Sequence, residues 1–421
     1  MSILKKKYKS EFLKSVFTLA VGSIVAQLLV VIASPFITRL YSPAEIGMYT
    51  YFLSSSQIFI AVINGRYDMS IVMEKEEERI FPLIKLSYYI CLIFSAIISF
   101  TYYIYLSEFS DKYAQYYYMA PLIFILLFSY GIINILTAYN NHYKEYKLIS
   151  SVYVVRTACQ NIGTVVFGFF KMGMFGLFFP YIVGQLVGIK RQAKSLMPHL
   201  QEIRNVNKSE MFKVLKAHYR QPLFSVPALL ANSFSYSSVT LFIEALFGLS
   251  AVGFYSISVR ILGLPLAIVS GNVSKAFFEE ASREYNEKGN FKNAFKKTSM
   301  FLLFMSFPIV FIMIVFAPSL CSLVFGANWE IAGQYLRILA PMFGIKLIVT
   351  ALSPGLLIAR KQNYELGLNL LLVFATGSSF VLAKVFAISI KMFLMLISVS
   401  MSLVYIACFL VIAILANKNI K

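Results

Sequence analysis

Three basic residues lie deep inside apolar segments of this 421-residue chain: Arg156, Arg260 and Lys346. The uncharged segment that follows Arg156 covers only residues 157–170. A helix needs about 20 apolar residues to cross the hydrocarbon core of a bilayer, so a helix here has to include Arg156. By the same reasoning, Arg260 and Lys346 lie within spanning helices, because each has apolar residues on both sides. Each such cation costs about 2.5–3.5 kcal/mol at mid-depth and usually faces a bundle interior or a water-filled cavity.

The chemistry that buried bases support is the binding of an anion. The acids Asp68 and Glu244 lie nearer the ends of their apolar segments, so ion pairing does not account for all three cations. Arg holds phosphate through a bidentate pair of hydrogen bonds, which makes a phosphate group a suitable ligand. The alternative is structural, because long basic side chains also reach out to water or to the carbonyl groups at helix C-termini.

A fourth base ends an apolar segment in the sequence Gly65-Arg66-Tyr67-Asp68. Arg66 lies either at the cytoplasmic mouth of the same cavity or at the membrane interface as an anchor, and both interpretations stay open. The candidate substrate-binding residues are therefore Arg66, Arg156, Arg260 and Lys346.

The elements that must position these residues are membrane-spanning helices. Hydrophobic residues make up 59% of the chain and charged residues 14%, whereas a soluble domain has about 25% charged residues. Long uncharged segments are typical of spans, because the backbone must satisfy its own hydrogen bonds inside the bilayer. The sequence predicts an all-α integral membrane protein with about twelve transmembrane helices. The predicted spans are 15–38, 46–65, 84–106, 117–139, 148–170, 173–190, 222–244, 250–272, 298–317, 338–358, 365–385 and 392–416.

The distribution of basic residues predicts the orientation. With the N-terminus in the cytoplasm, 30 of the 38 Lys and Arg residues fall in cytoplasmic segments, if Arg156 is counted with the segment at whose edge it lies. Six fall in outward segments, and Arg260 and Lys346 lie inside spans. Basic residues accumulate in cytoplasmic loops, so both termini are expected there and the number of spans is even. Contacts between these loops and anionic lipid explain the net charge of +19, and no binding of nucleic acid is expected.

Residue types that carry catalysis or bind metals are sparse. The four cysteines form no C-x-x-C pair and the three histidines are scattered, so neither a metal site nor a disulfide framework is expected, and no cofactor is implied. The sequence contains no G-x-x-x-x-G-K-[ST] loop, nucleophile elbow or H-E-x-x-H motif. The outward loops are short. These features argue against an enzyme.

A basic stretch from Lys190 to Arg220 divides the chain near its middle. Six predicted spans precede it and six follow, which predicts an N-terminal six-helix lobe, 1–205, and a C-terminal six-helix lobe, 206–421. Because both halves start on the cytoplasmic side, they would form a parallel repeat about an axis along the membrane normal. Chance similarity between apolar segments is the alternative. Four pairs of identical residues are 206 apart: Leu40/Leu246, Gly47/Gly253, Tyr49/Tyr255 and Gly65/Gly271.

The chain contains six short segments of note: 38–47 (TRLYSPAEIG), 65–68 (GRYD), 246–248 (LFG), 253–255 (GFY), 260–265 (RILGLP) and 325–332 (FGANWEIA), which contains the only Trp. They resemble segments of bacterial polysaccharide flippases, the exporters of O-antigen and capsule repeat units. Their group also contains multidrug and oligosaccharidyl-lipid exporters. The motifs are loose individually, but their order and spacing are fairly specific, and the resemblance covers nearly the whole chain.

The resemblance implies two six-helix lobes around a central, often cationic cavity. It implies a flippase that moves a polyprenyl-diphosphate-linked oligosaccharide from the cytoplasmic to the periplasmic leaflet of the bacterial inner membrane. The four candidate bases would attract the diphosphate or acidic sugars. Flippases of this kind are thought to use an ion gradient, which makes Asp68 and Glu244 candidate residues for ion coupling or gating. Besides the lipid bilayer, the resemblance suggests a glycan polymerase and a chain-length regulator as partners.

Three other interpretations stay open. A drug or metabolite antiporter of the same superfamily is the first, although a carrier of organic cations should present acids rather than bases in its cavity. A membrane scaffold that recruits a glycan polymerase is the second, and it predicts that variants without the cavity charges still function. A membrane transferase is the third, and the missing catalytic residues disfavour it.

Overall fold

The computed structural model describes residues 2–108 and 113–418, and within them the side chains of 20–108, 113–361 and 364–418. Lys112 and Lys421, which entered the count of basic residues, lie outside the described residues, as do the side chains of the N-terminal lysines up to Lys14. The helices are α1 Ser2–Leu40, α2 Pro43–Ile60, α3 Tyr67–Met73, α4 Glu77–Glu108, α5 Met119–His142, α6 Tyr146–Phe169, α7 Met174–Leu186, α8 Ile189–Ala193, α9 Leu200–Asn205, α10 Lys208–Ala217, α11 Val226–Phe247, α12 Leu249–Pro265, α13 Gly271–Lys288, α14 Lys292–Phe325, α15 Glu330–Leu352, α16 Pro354–Ile358, α17 Gln362–Val385 and α18 Ile390–Asn417.

The prediction of an all-α membrane protein with about twelve spans is confirmed. Nine helical segments in the described ranges are long and apolar enough to cross a bilayer. The other three predicted spans coincide with α2, α6 and α7, which are shorter or more polar. The helix α7 has only 13 residues, and α6 carries Arg156 at its centre. Length and hydropathy alone therefore miss helices that are short, such as α7, or that carry charged side chains, such as α6.

Two helices end earlier than the apolar pattern predicts. The helix α2 ends at Ile60 rather than at residue 65, and α7 ends at Leu186 rather than at residue 190. The end of α7 is followed by Gly188, with a φ angle of 82°. Glycine adopts this left-handed conformation at little cost, and it stops a helix from continuing. The end of α2 is followed by turns up to Gly65, which has a φ angle of 60°.

The helices form two compact units. Unit 1 contains the residues up to Ala33 and Ser56–Ser233, and unit 2 contains Ser34–Ser55 and the residues from Phe234 onward. The C-terminal end of α1 and most of α2 thus pack with helices from the second half of the chain. The division into lobes at residue 205 stays a prediction, because it concerns the repeat of the chain and not its packing in one conformation.

Within unit 2, α2 and α12 cross at a pair of glycines, which we call the glycine crossing. A Cβ atom added to Gly47 would lie 1.9 Å from the carbonyl oxygen of Leu249, and one added to Gly253 would lie 1.9 Å from that of Pro43. Pro43 and Leu249, which begin the two helices, are 206 residues apart, as are the two glycines. The contact is therefore reciprocal, as expected around a two-fold axis.

The only Trp of the chain fastens the end of α1 beside this crossing. Trp329 is 2% exposed, and its Nε1 donates to the carbonyl oxygen of Thr38 at 2.9 Å. The Thr38 hydroxyl in turn donates to the carbonyl oxygen of Phe325 at 3.2 Å. These two bonds join segments that lie almost 300 residues apart in sequence, which no local pattern indicates.

In unit 1, a polar contact joins the end of α3 to the end of α10. The Nε2 of His218 lies 2.9 Å from the Glu74 carboxylate. That carboxylate also accepts backbone N–H bonds from Lys75 and Glu76, at 2.8 and 3.1 Å. Burial raises the pKa of Glu74, but the backbone bonds and His218 outweigh it and hold the pKa below its ordinary value.

We expect Glu74 to make the stability of unit 1 depend on pH. Its contribution is fully present above the ordinary pKa of 4.5, and it is lost as the pH falls through the lowered value of the folded state. Glu74→Gln should lower the melting temperature at about pH 7 and flatten the loss of stability between about pH 5 and pH 3. Thermal unfolding in detergent measures both effects, with the exposed Glu78→Gln as control. Equally steep acid destabilisation in the two variants would contradict this role.

Candidate functional site

Arg156 lies at the middle of α6 in unit 1 and is 7% exposed. Its Nη2 donates a long bond, 3.5 Å, to the carbonyl oxygen of Val187, which caps the C-terminal end of α7. Its Nε is buried without a hydrogen-bond partner. A guanidinium has five donors, so one long bond leaves most of its capacity unused. Arg156 thus contacts a helix C-terminus, as the structural interpretation requires, and still has donors for a ligand.

Neutral polar groups surround Arg156. The hydroxyls of Tyr130 and Tyr181 lie 2.5 Å apart, and Gln185 Nε2 donates to the Tyr130 oxygen at 2.8 Å. Arg156 interacts electrostatically with Tyr130. We call these four residues the Arg156 cluster. The helices α6 and α7 of this cluster approach each other closely at Gly184. A Cβ atom added there would lie 2.2 Å from the Gln160 side chain.

Lys346, on α15 in unit 2, lies among aromatic rings. Its Nζ is 3.7 Å from the centroid of the Tyr236 ring and 5.3 Å from that of Phe343. The Tyr236 hydroxyl lies 2.5 Å from that of Tyr405, so a phenol pair again accompanies a deep cation. A cation over an aromatic face gains about 0.5–2 kcal/mol, which offsets part of the cost of burying the ammonium. We call these four residues the Lys346 site.

Arg260 lies on α12, before the helix widens into a π-helical turn at Leu266–Ser270. It is half-buried. Its Nη1 donates to the hydroxyl of Ser34 at 3.3 Å, and it interacts electrostatically with Tyr49. Both neighbours belong to the early segment of unit 2. Arg260 therefore contacts polar but neutral groups.

Arg66 and Asp68 lie together at the start of α3, in unit 1. Arg66 occupies the N-cap position with a φ of 64°, and its Nε is buried without a hydrogen-bond partner. It interacts electrostatically with Asp68 in the first turn of the helix. Glu244 is buried near the C-terminal end of α11 in unit 2. The described contacts join neither Arg66 nor Asp68 to Arg156.

Among the residues that the structure describes, Arg156, Arg260 and Lys346 take part in no ion pair, whereas Arg66 interacts with Asp68. The ion pairs there involve other bases: Arg79, His199, His218, Lys288 and Lys297. Removing a cation from water without a counter-charge is costly, and neutral hydroxyls and rings compensate only in part. An anion that enters these sites would supply the missing charge.

Sequence reasoning missed the phenol pairs. The chain has 27 tyrosines, and tyrosine is common at membrane interfaces, so its presence in a span is a weak signal. Which tyrosines meet is decided by packing between helices that are far apart in sequence, as in the pairs Tyr130–Tyr181 and Tyr236–Tyr405.

Comparisons with known proteins agree with this architecture. The family described as "Polysaccharide biosynthesis protein" matches residues 39–333. The lipid II flippase MurJ in an inward closed conformation aligns with a TM-score of 0.67 at 12% identity, covering 94% of this chain and 90% of that one. A search of curated proteins gives no match.

Two further solved structures share the fold. A MOP-superfamily transporter from Pyrococcus furiosus, described as having a binding pocket of reverse polarity, aligns with a TM-score of 0.63 at 14% identity over 97% of this chain and 96% of that one. An inward-facing multidrug resistance MATE transporter aligns with a TM-score of 0.62 at 15% identity over 95% and 94%. At these identities the likeness shows the fold alone. With the family match, it establishes that this multi-pass membrane protein of MOP-transporter fold belongs to the polysaccharide biosynthesis protein family.

Proposed function

We propose that the protein is a flippase that moves a polyprenyl-diphosphate-linked oligosaccharide, such as an O-antigen or capsule repeat unit, from the cytoplasmic to the periplasmic leaflet. Membership of the polysaccharide biosynthesis family supports a glycan-linked role. The fold shared with MurJ, itself described as a lipid II flippase, supports translocation of a lipid-linked substrate. In this role the protein acts as a carrier and not as an enzyme.

The observation that carries the proposal is the set of deep bases without described acidic partners. Arg156 is buried with an unused Nε, and the described contacts of the Lys346 ammonium are with aromatic rings. A diphosphate offers the charge that these groups lack, and Arg binds its oxygens through two parallel hydrogen bonds. The neighbouring phenols could donate to sugar or phosphate oxygens. We assign Arg66, Arg156, Arg260 and Lys346 to substrate binding on this basis.

The proposed cycle is alternating access between lobes 1–205 and 206–421, with both termini in the cytoplasm of a bacterial inner membrane. Transport of an anionic headgroup against its gradient needs an energy source, and we assign ion coupling or gating to Asp68 and Glu244. Collapse of the proton and sodium gradients should then stop export. A glycan polymerase and a chain-length regulator would receive the exported unit.

Complementation of a flippase-null strain tests the function. Expression of the chain with a defined lipid-linked repeat unit should restore surface glycan. Arg260→Ala should reduce export by about tenfold or more, because a hydrogen bond to a charged group is worth about 1.5–3 kcal/mol. Arg283→Ala, on the exposed face of α13, is the matched control.

Two outcomes would contradict parts of this proposal. Normal export by Arg260→Ala, at equal membrane levels of protein, would remove Arg260 from the site. Failure of the wild-type chain with every repeat unit offered, in a strain that a known flippase rescues, would oppose the flippase assignment itself.

The second candidate is an antiporter for drugs or metabolites, which the shared fold with a multidrug transporter favours. Cavities that bind organic cations should carry acids, whereas the deep charges here are basic. Transport assays with a cationic dye and with an anionic lipid-linked sugar distinguish the two. Resistance to cationic drugs after expression would favour the antiporter.

A further inference from the structure

A second feature of unit 1 lies away from the candidate bases. It is a cavity of about 440 Å³ between α4, α5 and the segment from α8 to α9, within the range of about 300–1,000 Å³ that is usual for ligand pockets. Its walls are aliphatic and aromatic, and we call it the α4–α9 groove. Its lining includes Lys85, Tyr88, Tyr89, Ala193, Leu200 and Arg204.

The groove lies beside an exposed apolar face of α4. Tyr89 at its rim is 43% exposed, and Ile93, Ile97 and Phe100 continue the exposed apolar face along the same helix. Residues three or four positions apart lie on one face of a helix, so these side chains form one stripe. Leu200, which closes the groove from the other side, is 56% exposed. An apolar chain in the bilayer therefore has direct access to the groove.

The rim carries positive charge. The Arg204 guanidinium is exposed, and the short helix α8, which supplies two lining residues, also carries exposed Lys190 and Arg191. The nearby acid Glu202 is already bonded to His199 at 2.8 Å. The described part of the chain shows no ion pair for Arg204. Its charge is free to meet a ligand.

The Lys85 ammonium binds the protein backbone, whereas the Arg204 guanidinium is exposed. Its Nζ donates to the carbonyl oxygens of Arg204 and Val206, both at 2.7 Å. These bonds hold the end of α9 against α4 and keep the Arg204 backbone at the rim. Lys85 is thus a positioning residue, while the Arg204 side chain faces outward.

We propose that the α4–α9 groove binds an anionic phospholipid, with one acyl chain in the groove and the phosphate at Arg204. Basic pockets between helices on the cytoplasmic side of membrane proteins hold anionic headgroups. The positive-inside pattern places this segment on that side. The lipid fills the apolar volume and neutralises the basic rim, and it fastens the connection between the two halves of the chain to α4. The proposal is independent of the proposed transport function.

Binding to the purified full-length protein in detergent tests the proposal. Native mass spectrometry and thermal unfolding compare phosphatidylglycerol with phosphatidylcholine of identical acyl chains. We expect phosphatidylglycerol to bind more tightly and to raise the melting temperature more. Arg204→Gln should reduce this preference about fivefold, since one basic residue near a membrane surface is worth about 1 kcal/mol of attraction. Arg283→Gln, an exposed base in unit 2, should leave it unchanged.

A second variant tests the groove itself. Ala193→Phe places a ring in the cavity and should weaken binding of both lipids. Leu200→Glu, at an exposed rim position, does not depend on packing and should repel phosphatidylglycerol selectively. Equal binding of the two lipids by the wild-type protein, or an unchanged preference in Arg204→Gln, would overturn the proposal. So would displacement of phosphatidylglycerol by equimolar polyprenyl phosphate, which would assign the groove to an isoprenoid chain.

Discussion

Alanine at Gly47 or at Gly253 should destabilise the glycine crossing by about 1–3 kcal/mol, the usual cost of overpacking. The new methyl group would lie 1.9 Å from a backbone carbonyl oxygen of the opposite helix. A backbone atom cannot rotate away as a side chain can, so α2 and α12 have to move apart. We expect a lower melting temperature and a red shift in the emission of Trp329, which is buried beside the crossing and bonded to Thr38.

The chain supplies a matched control for this experiment. Gly263 lies on α12 as well, but a Cβ there meets no atom within 4 Å. Gly263→Ala should stabilise the helix by roughly 0.5–1 kcal/mol, because alanine loses less conformational entropy than glycine. Alanine is therefore expected to raise the stability at Gly263 and to lower it at Gly47 or Gly253. A stabilised Gly47→Ala would show that the helices do not cross as closely as described.

The double variant tests whether Gly47 and Gly253 belong to one contact. Gly47→Ala and Gly253→Ala act on one reciprocal contact, so separation of the helices by the first substitution should relieve the second. We expect a combined loss of stability smaller than the sum of the two single losses. Full additivity would mean that the two glycines belong to independent contacts.

Lys346→Met should reduce export by about tenfold or more while leaving the protein as stable as before, or more stable. Removal of the ammonium eliminates a burial cost of about 2.5–3.5 kcal/mol and forfeits a cation–π attraction of about 0.5–2 kcal/mol. The net change favours the folded protein. Loss of a charged contact to the substrate reduces transport. Surface glycan in a complemented strain and thermal unfolding of the purified variant measure the two effects.

The controls separate charge from position. Lys391→Met removes an exposed lysine at the start of α18 and should change export little. Lys346→Arg retains the charge and should keep part of the activity. If Lys346→Met exports normally, the Lys346 site does not bind substrate. If it unfolds, the ammonium has a structural role that the aromatic contacts do not reveal.

The long apolar helices of the fold could be predicted from the sequence. Spans such as 392–416 are long, uncharged and apolar, and they reappear as α18 with nearly the same bounds. Backbone hydrogen bonding inside a bilayer leaves little choice for such segments. The ends of α2 and α7 were predicted too late, because an apolar pattern continues through Gly65 and Gly188 while the backbone does not.

The sequence by itself determined that this is a helical membrane protein, and it predicted that Arg156, Arg260 and Lys346 lie within spans, because hydropathy and charge act locally along the chain. Only the tertiary structure decided what those cations contact. The Tyr130–Tyr181 and Tyr236–Tyr405 pairs and the reciprocal glycine crossing join residues distant in sequence. Such contacts depend on which helix faces meet, and packing between helices, unlike hydropathy, has no signature in a single segment.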